Sequence, residues 1–232
     1  MNLKQTLLSA ALAAALASSP LAAQDQSQYS YAEHTPGAQL VAEAGRSHRA
    51  GQYASALSKY EAAARWADKF AQFNIGVMHL KGQGTEFDPA RALAWFQLAA
   101  ERDYPMMVSM VEELDAMIDD ETRRRAERIR VDELEPVYGD EVAIERTHRR
   151  MQRDRRLATG SRLGFAGFLR IIDRNGFSRD GAEFYAREKW DFRNVVAIET
   201  QRMRELGDGR VELRELELTD EESADAESER PD

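Results

Sequence analysis

Two stretches of this chain repeat each other, and a repeat of this length leaves few architectures open. Gly45-x-x-His48-x-x-Gly51 recurs 31 residues later as Gly76-x-x-His79-x-x-Gly82. Ala56-Leu57-x-x-Tyr60-x-x-Ala63-Ala64 recurs 36 residues later as Ala92-Leu93-x-x-Phe96-x-x-Ala99-Ala100, so the second copy holds five extra residues in its connecting loop. Self-similarity near this period marks stacked helical hairpins, each of which buries its apolar face on its neighbours.

The residue types fit that geometry. Gly and Ala sit where helix backbones must approach closely, while Tyr60, Trp66, Trp95 and Phe96 recur at helical spacing to fill the wider gaps between hairpins. Asp88 before Pro89 is a helix start, with Asp as the cap and Pro at the first helical position, which predicts a helix over 89–102. Lys81-Gly82-Gln83-Gly84 reads as a loop. Beyond it, Met106, Val108, Met110, Val111, Leu114 and Met117 form one apolar helix, and Asp119-Asp120-Glu121 opens another carrying Ala126, Ile129 and Leu134. These two make a degraded third hairpin over 105–134, as expected of a terminal repeat whose outer face meets water.

The run Ala71-x-x-x-Ile75-Gly76-x-x-His79-x-x-Gly82-x-Gly84-x-x-x-Asp88-x-x-Arg91-Ala92-x-x-Trp95-x-x-x-Ala99-Ala100 resembles the Sel-one-like repeat, a long-looped relative of the tetratricopeptide repeat. It departs from that pattern at His79, where the family usually has Tyr. The first copy, with Gly51-Gln52-Tyr53-x-x-Ala56 and a short loop, looks more like an ordinary tetratricopeptide hairpin. The resemblance implies an all-α fold, a right-handed solenoid of about three antiparallel hairpins over 37–136; beyond it, residues 137–204 read as a small α or α+β extension.

It also implies binding rather than catalysis, through a groove lined by the first helix of each hairpin. Carried onto this sequence, that side holds Gln39, Ala42, Arg46 and Arg49, then Phe70, Phe73, Asn74, Val77 and Lys81, then Met106 and Ser109. The six residues expected to meet a protein or peptide partner are Arg46, Arg49, Phe73, Asn74, Val77 and Lys81. An alternative reading makes Phe73 and Val77 core, since apolar stripes at helical spacing are core more often than site. Arg46, Arg49 and Asn74 are too few to claim a clamp on a terminal carboxylate.

Residues 137–156 read as a helix crowded with arginine. Arg146, Arg149, Arg150 and Arg153 are expected to face an anion, whether lipid phosphate, cell-wall polymer or the chain's own acidic tail. The alternative is a solvated face in weak pairs with Glu141, Glu145 and Asp154. Further on, Phe168 to Ile172 leans toward strand and Asn175-Gly176 signals a turn, so a short strand pair is expected before helix returns over 181–190. The segment around Val195, Val196 and Ile198 is ambiguous by pattern. Phe184, Tyr185, Trp190 and Phe192 supply aromatic mass for packing against the repeats.

Charge and composition bound the function. The formal net charge is −9, and residues 205–232, with twelve acids and three arginines, account for all of it. The body is neutral, which argues against a nucleic-acid binder, and the tail reads as disordered. With no cysteine in the chain, thiol nucleophiles and cysteine-based metal sites are excluded. Lys4, the apolar run over 7–17 and the small residues ending at Ala23 read as a cleavable export signal, followed by a flexible leader over 24–36. A periplasmic or secreted protein, not transmembrane once processed, is expected.

Catalytic motifs fail on inspection. Residues 173–180 resemble a calcium loop, but Phe177 occupies an oxygen position and the glycine falls too early. Ser161 is one place off a nucleophile elbow, and no glycine loop has the phosphate-cradling pattern. His34, His48, His79 and His148 have no spacing that would converge them on a catalytic site, and His48 and His79 occupy equivalent repeat positions, where packing explains them. No cofactor or metal is expected. Glu183 with Asp191, or Asp173 with Asp180, could form a carboxylate pair, which keeps a cell-envelope hydrolase as the competing class beside a wall- or lipid-binding module.

Overall fold

The computed structural model describes residues 34–159, 169–172, 176 and 178–207. The expected signal over 1–23, most of the leader, the glycines Gly160, Gly164 and Gly167, the calcium-like loop's Asp173 and Phe177, and nearly all of the acidic tail lie outside them. The chain is mostly helical. Helices α1 (Ala38–Arg49), α2 (Tyr53–Ala64), α3 (Lys69–Lys81) and α4 (Pro89–Ala99) form two hairpins, α1 with α2 and α3 with α4, and the hairpins stack through α2 and α3.

Helices α3 and α4 each begin at an aspartate cap, whereas α1 and α2 start without a side-chain cap. The Asp68 carboxylate accepts from the Ala71 N–H at 2.9 Å to open α3, and Asp88 accepts from Arg91 at 3.0 Å to open α4 with Pro89 in its first turn. Helix α3 ends at Gly82, whose φ of 63° is the left-handed cap that glycine adopts without strain. The five extra loop residues then fold back on the first hairpin. Gly84 has φ 74°, and a Cβ there would lie 2.6 Å from the Tyr53 carbonyl carbon, so only glycine lets the loop touch the start of α2. Gln83 Oε1 meets His48 Nε2 at 2.9 Å and ties the same loop to the end of α1.

The core is continuous through both hairpins. Helix α3 is its centre, with every residue from Lys69 to Leu80 buried except Asn74. Phe96 and Leu93 are fully buried, Trp95 and Tyr60 are nearly so, and Ala56, Ala63, Ala92 and Ala99 are the small residues between them. Trp66 departs from the expected pattern: it follows the end of α2, stays half-buried and faces an arginine instead of filling the gap between hairpins.

Helices α5 (Pro105–Met117) and α6 (Asp120–Arg128) occupy the expected third hairpin, with Asp119 capping α6 through the Thr122 N–H at 2.8 Å. Both pack chiefly on α4, and a close pair like the first two hairpins is not formed between them. Helix α6 runs on through a π-helical stretch, Ile129–Leu134, into α7 (Glu135–Tyr138). Pro136 has no N–H and its ring would strike the carbonyl four residues back in a regular α-helix, and the wider π geometry accommodates it.

The extension begins at α8 (Asp140–Thr159), followed by an antiparallel strand pair, β1 (Arg170–Ile172) and β2 (Ser178–Asp180), with Ile171 opposite Arg179. Where a helix over 181–190 is expected, two short ones form, α9 (Gly181–Phe184) and α10 (Arg187–Trp190). The ambiguous segment around Val195 is helical, α11 (Phe192–Gly207), and it extends past the expected start of the tail at 205. Ala67, Ala143, Met151, Trp190, Phe192 and Val195 make a second, smaller core beneath α8. His34 stacks on Trp190 at 4.9 Å between ring centroids.

Candidate functional site

The six residues expected to line a groove on the repeats are placed in two different environments. Phe73 and Val77 are only 5% and 8% exposed, and Phe73 packs on the Phe96 ring at 5.1 Å inside its own hairpin. Both therefore belong to the core, because α3 is enclosed on nearly every side. Asn74 is half-buried and donates to the Phe70 carbonyl at 2.7 Å. Arg46, Arg49 and Lys81 are exposed in the last turns of α1 and α3, and the His48–Gln83 contact brings those two helix ends together. Cations there face the negative end of each helix dipole, which favours them whether or not a partner is present.

The four arginines expected to face an anion lie together. Arg146, Arg149, Arg150 and Arg153 line one open groove of about 490 Å³ along α8, with Trp66 and Val142 as its apolar surface and Glu141 and Glu145 also at its wall. Spacings of three and four residues put these side chains on one helix face. Arg150 reaches over the Trp66 ring, 6.0 Å from its centroid, and donates to Asp154 at 2.7 Å. Arg149 donates to Glu145 at 2.7 Å, and Glu145 also takes Arg193 of α11 at 2.5 Å. The two arginines hold the exposed Glu145 carboxyl below its ordinary range. Arg146 gives one bond to the Val137 carbonyl, while its Nη1 is buried with no hydrogen-bond partner. Burial, and then Arg65, lower the Arg146 pKa. The groove is thus cationic around an aromatic ring. Trp66 was not foreseen as part of it, since nothing in the local pattern of α2 points across to α8.

A second cluster, unforeseen, joins the repeats to the extension. Lys69, with no side-chain exposure, donates to Glu101 at 2.5 Å, the Leu98 carbonyl at 2.9 Å and Gln72 at 3.1 Å, and pairs with Asp140 at 3.1 Å. Arg102 grips both oxygens of Asp140 at 2.8 and 2.9 Å, donates to the Ala67 carbonyl at 2.8 Å and lies 3.9 Å from Glu199. Burial alone would raise the Asp140 carboxyl, but the Arg102 bonds and charge and the Lys69 charge overcome it and hold the carboxyl below its ordinary range. Burial lowers the Lys69 pKa and pushes Glu199 up to about 6, while Tyr104 donates to Glu199 at 3.0 Å. Its members come from residues 69 to 199, so no spacing rule could have found it.

The carboxylate pairs considered for hydrolysis are engaged locally. Glu183 pairs with Lys189 at 3.2 Å, Asp191 accepts from the Arg193 N–H at 3.1 Å at the start of α11, and Asp180 caps α9 through the Ala182 N–H at 2.7 Å. His79 is buried in α3, which lowers its pKa to about 4. Among the described residues no group of three His, Asp or Glu could hold a metal ion, and no helix is long and apolar enough to cross a membrane.

No curated protein and no solved structure is significantly similar to this chain. Residues 69–104, which span α3, its long loop, α4 and the turn after it, match the model of the Sel1 repeat, and this mostly helical chain is consistent with a Sel1-like repeat protein.

Proposed function

We propose that this chain is a non-catalytic scaffold which holds a protein or peptide partner at the cell envelope of a bacterium, on the outer side of the cytoplasmic membrane. The observation that carries the reading is the Sel1 repeat over 69–104, a module that commonly mediates protein interactions, set in a stack of paired helices. The location rests on the N-terminal sequence, where Lys4, an apolar run and Ala23 have the order of an export signal. Partner contact is assigned to the exposed Arg46, Arg49 and Lys81 and to the half-buried Asn74 further back on α3, while Phe73 and Val77 act only by packing the helix that carries them.

Affinity capture from a solubilised envelope fraction tests it, with the chain from residue 24 onward as bait. One protein retained in stoichiometric amount, and lost with R46E/R49E/K81E, is the expected result. Equal capture by that variant, or retention only on purified wall polymer, would overturn it.

The groove along α8 favours a second reading, a wall- or lipid-binding module that uses Arg146, Arg149, Arg150 and Arg153. In that case R149E/R153E abolishes retention on wall or anionic vesicles and R46E/R49E/K81E leaves it intact.

A further inference from the structure

The groove along α8 combines a cationic wall with an apolar surface, and one segment of this chain has the complementary chemistry. Residues 211–222 read Val-Glu-Leu-Arg-Glu-Leu-Glu-Leu-Thr-Asp-Glu-Glu. In an extended strand, successive side chains point to opposite faces, so Glu215 and Glu217 would share one face and Leu216 and Leu218 the other. Such a ribbon can turn its acids to the arginines and its leucines to Trp66 and Val142.

The connection is long enough. Helix α11 begins beside the groove, where Arg193 donates to Glu145 at 2.5 Å, and it ends at Gly207. At 1.5 Å per residue, its end lies about 21 Å along the axis from Arg193. The seven residues 208–214, extended, cover about 24 Å, which brings Glu215 back to the groove.

The arginines also have capacity for it. Glu145 is already shared between Arg149 and Arg193, and the Arg149 side chain remains 76% exposed. Arg153 is exposed on the same face, with no ion pair to any described residue. The charge of the tail matches that excess, because residues 205–232 carry the whole −9 of the chain.

We propose that residues 211–222 dock in cis along the groove formed by Trp66, Val142, Arg146, Arg149, Arg150 and Arg153, so that an external anionic ligand must displace the chain's own tail. This is independent of which partner the repeats hold.

The chain has no cysteine, so Ser223→Cys supplies a single thiol for a nitroxide label. At low salt the label is expected to broaden the backbone amide signals of residues 141–153 at least three-fold more than those around Arg46 and Arg49. The difference should vanish in 0.5 M NaCl and with R149E/R153E, two exposed positions at which an unchanged circular-dichroism spectrum and melting midpoint check the fold, and return when E215R/E217R is added to them. A free peptide of residues 211–222 should bind E215Q/E217Q/D220N/E221Q/E222Q chain at least ten-fold tighter than unaltered chain. No selective broadening over 141–153, or equal peptide affinity for the two chains, would overturn the proposal. Broadening that disappears on ten-fold dilution with unlabelled chain would assign the tail to a second copy and overturn it equally. So would retention on phosphatidylglycerol vesicles that R149E/R153E abolishes and tail neutralisation leaves unchanged.

Discussion

Gly45 and Gly76 occupy equivalent places in the two repeat copies, yet the structure gives replacement by alanine opposite signs. At Gly76 a Cβ would fall 2.6, 2.7 and 3.1 Å from three ring carbons of Phe96. That ring is fully buried and pressed on Phe73, so it has nowhere to move. Overpacking of this kind costs about 1–3 kcal/mol, and with a rigid ring the upper end applies. Alanine recovers about 1 kcal/mol of helix propensity, leaving a net loss of about 2 kcal/mol. At Gly45 the nearest atoms are the flexible Arg49 Nη1 at 3.5 Å and the Tyr60 hydroxyl at 3.8 Å, ordinary contact distances. G45A therefore keeps its propensity gain, a stabilisation of about 0.5–1 kcal/mol. For a chain of this size each kcal/mol moves the melting midpoint by about 2–4 °C, so G76A should melt about 4–8 °C lower and G45A about 1–4 °C higher. Circular dichroism at 222 nm during heating, with urea titration as a second measure, reads both. Shifts of the same sign would refute the claim that the second hairpin is packed more tightly at this crossing than the first.

Three further outcomes follow from the buried charges. Asp140→Ala leaves Lys69 and Arg102 without their shared carboxylate and should cost about 3–5 kcal/mol in urea titration, whereas the exposed pair Arg204–Asp103 should cost under about 1 kcal/mol when broken. Because folding raises the Glu199 pKa to about 6, its contribution to stability is present below about pH 4.5 and lost as pH rises through 6. E199Q retains the Tyr104 hydrogen bond and should be more stable than the parent at pH 8 by about 1–2 kcal/mol, with the gap closing at pH 4.5; a less stable E199Q at pH 8 would contradict the sign. Burial depresses the His79 pKa to about 4, so its contribution is present above about pH 6.5 and lost as pH falls toward 4. In an E199Q background H79F should lose less stability than the chain that keeps His79 as pH falls from 6.5 to 4, and an equal acid loss in the two would assign the sensitivity elsewhere.

What could be read from sequence was whatever depends on near neighbours. The hairpins followed from small and aromatic residues at fixed intervals, α4 from Asp88-Pro89, α6 from Asp119, and the arginine face from helical spacing. What escaped depends on distant chain segments. Phe73 and Val77 have the spacing of a groove face, but whether such a stripe meets a partner or a neighbouring helix is decided by elements the local pattern does not contain. Trp66 pairs with Arg150, 84 positions away in a different unit, so it read as repeat filling. The π-helical stretch before Pro136 and the helical state of α11 are likewise set by tertiary context, in which weak local preferences are overridden.

The carboxylate at the head of α8 bears on how this protein could be dissected. Cutting the repeats free at residue 136 would strip Arg102 of its bidentate carboxylate and of Glu199, leave Lys69 with Glu101 alone, and open to water the apolar surface that the extension covers. Such a fragment should precipitate or melt near room temperature, however complete its hairpins look on paper. The smallest piece able to stand alone reaches through Glu199, and in a calorimeter the intact chain should give a single peak, the hairpin stack and its appendage losing order together.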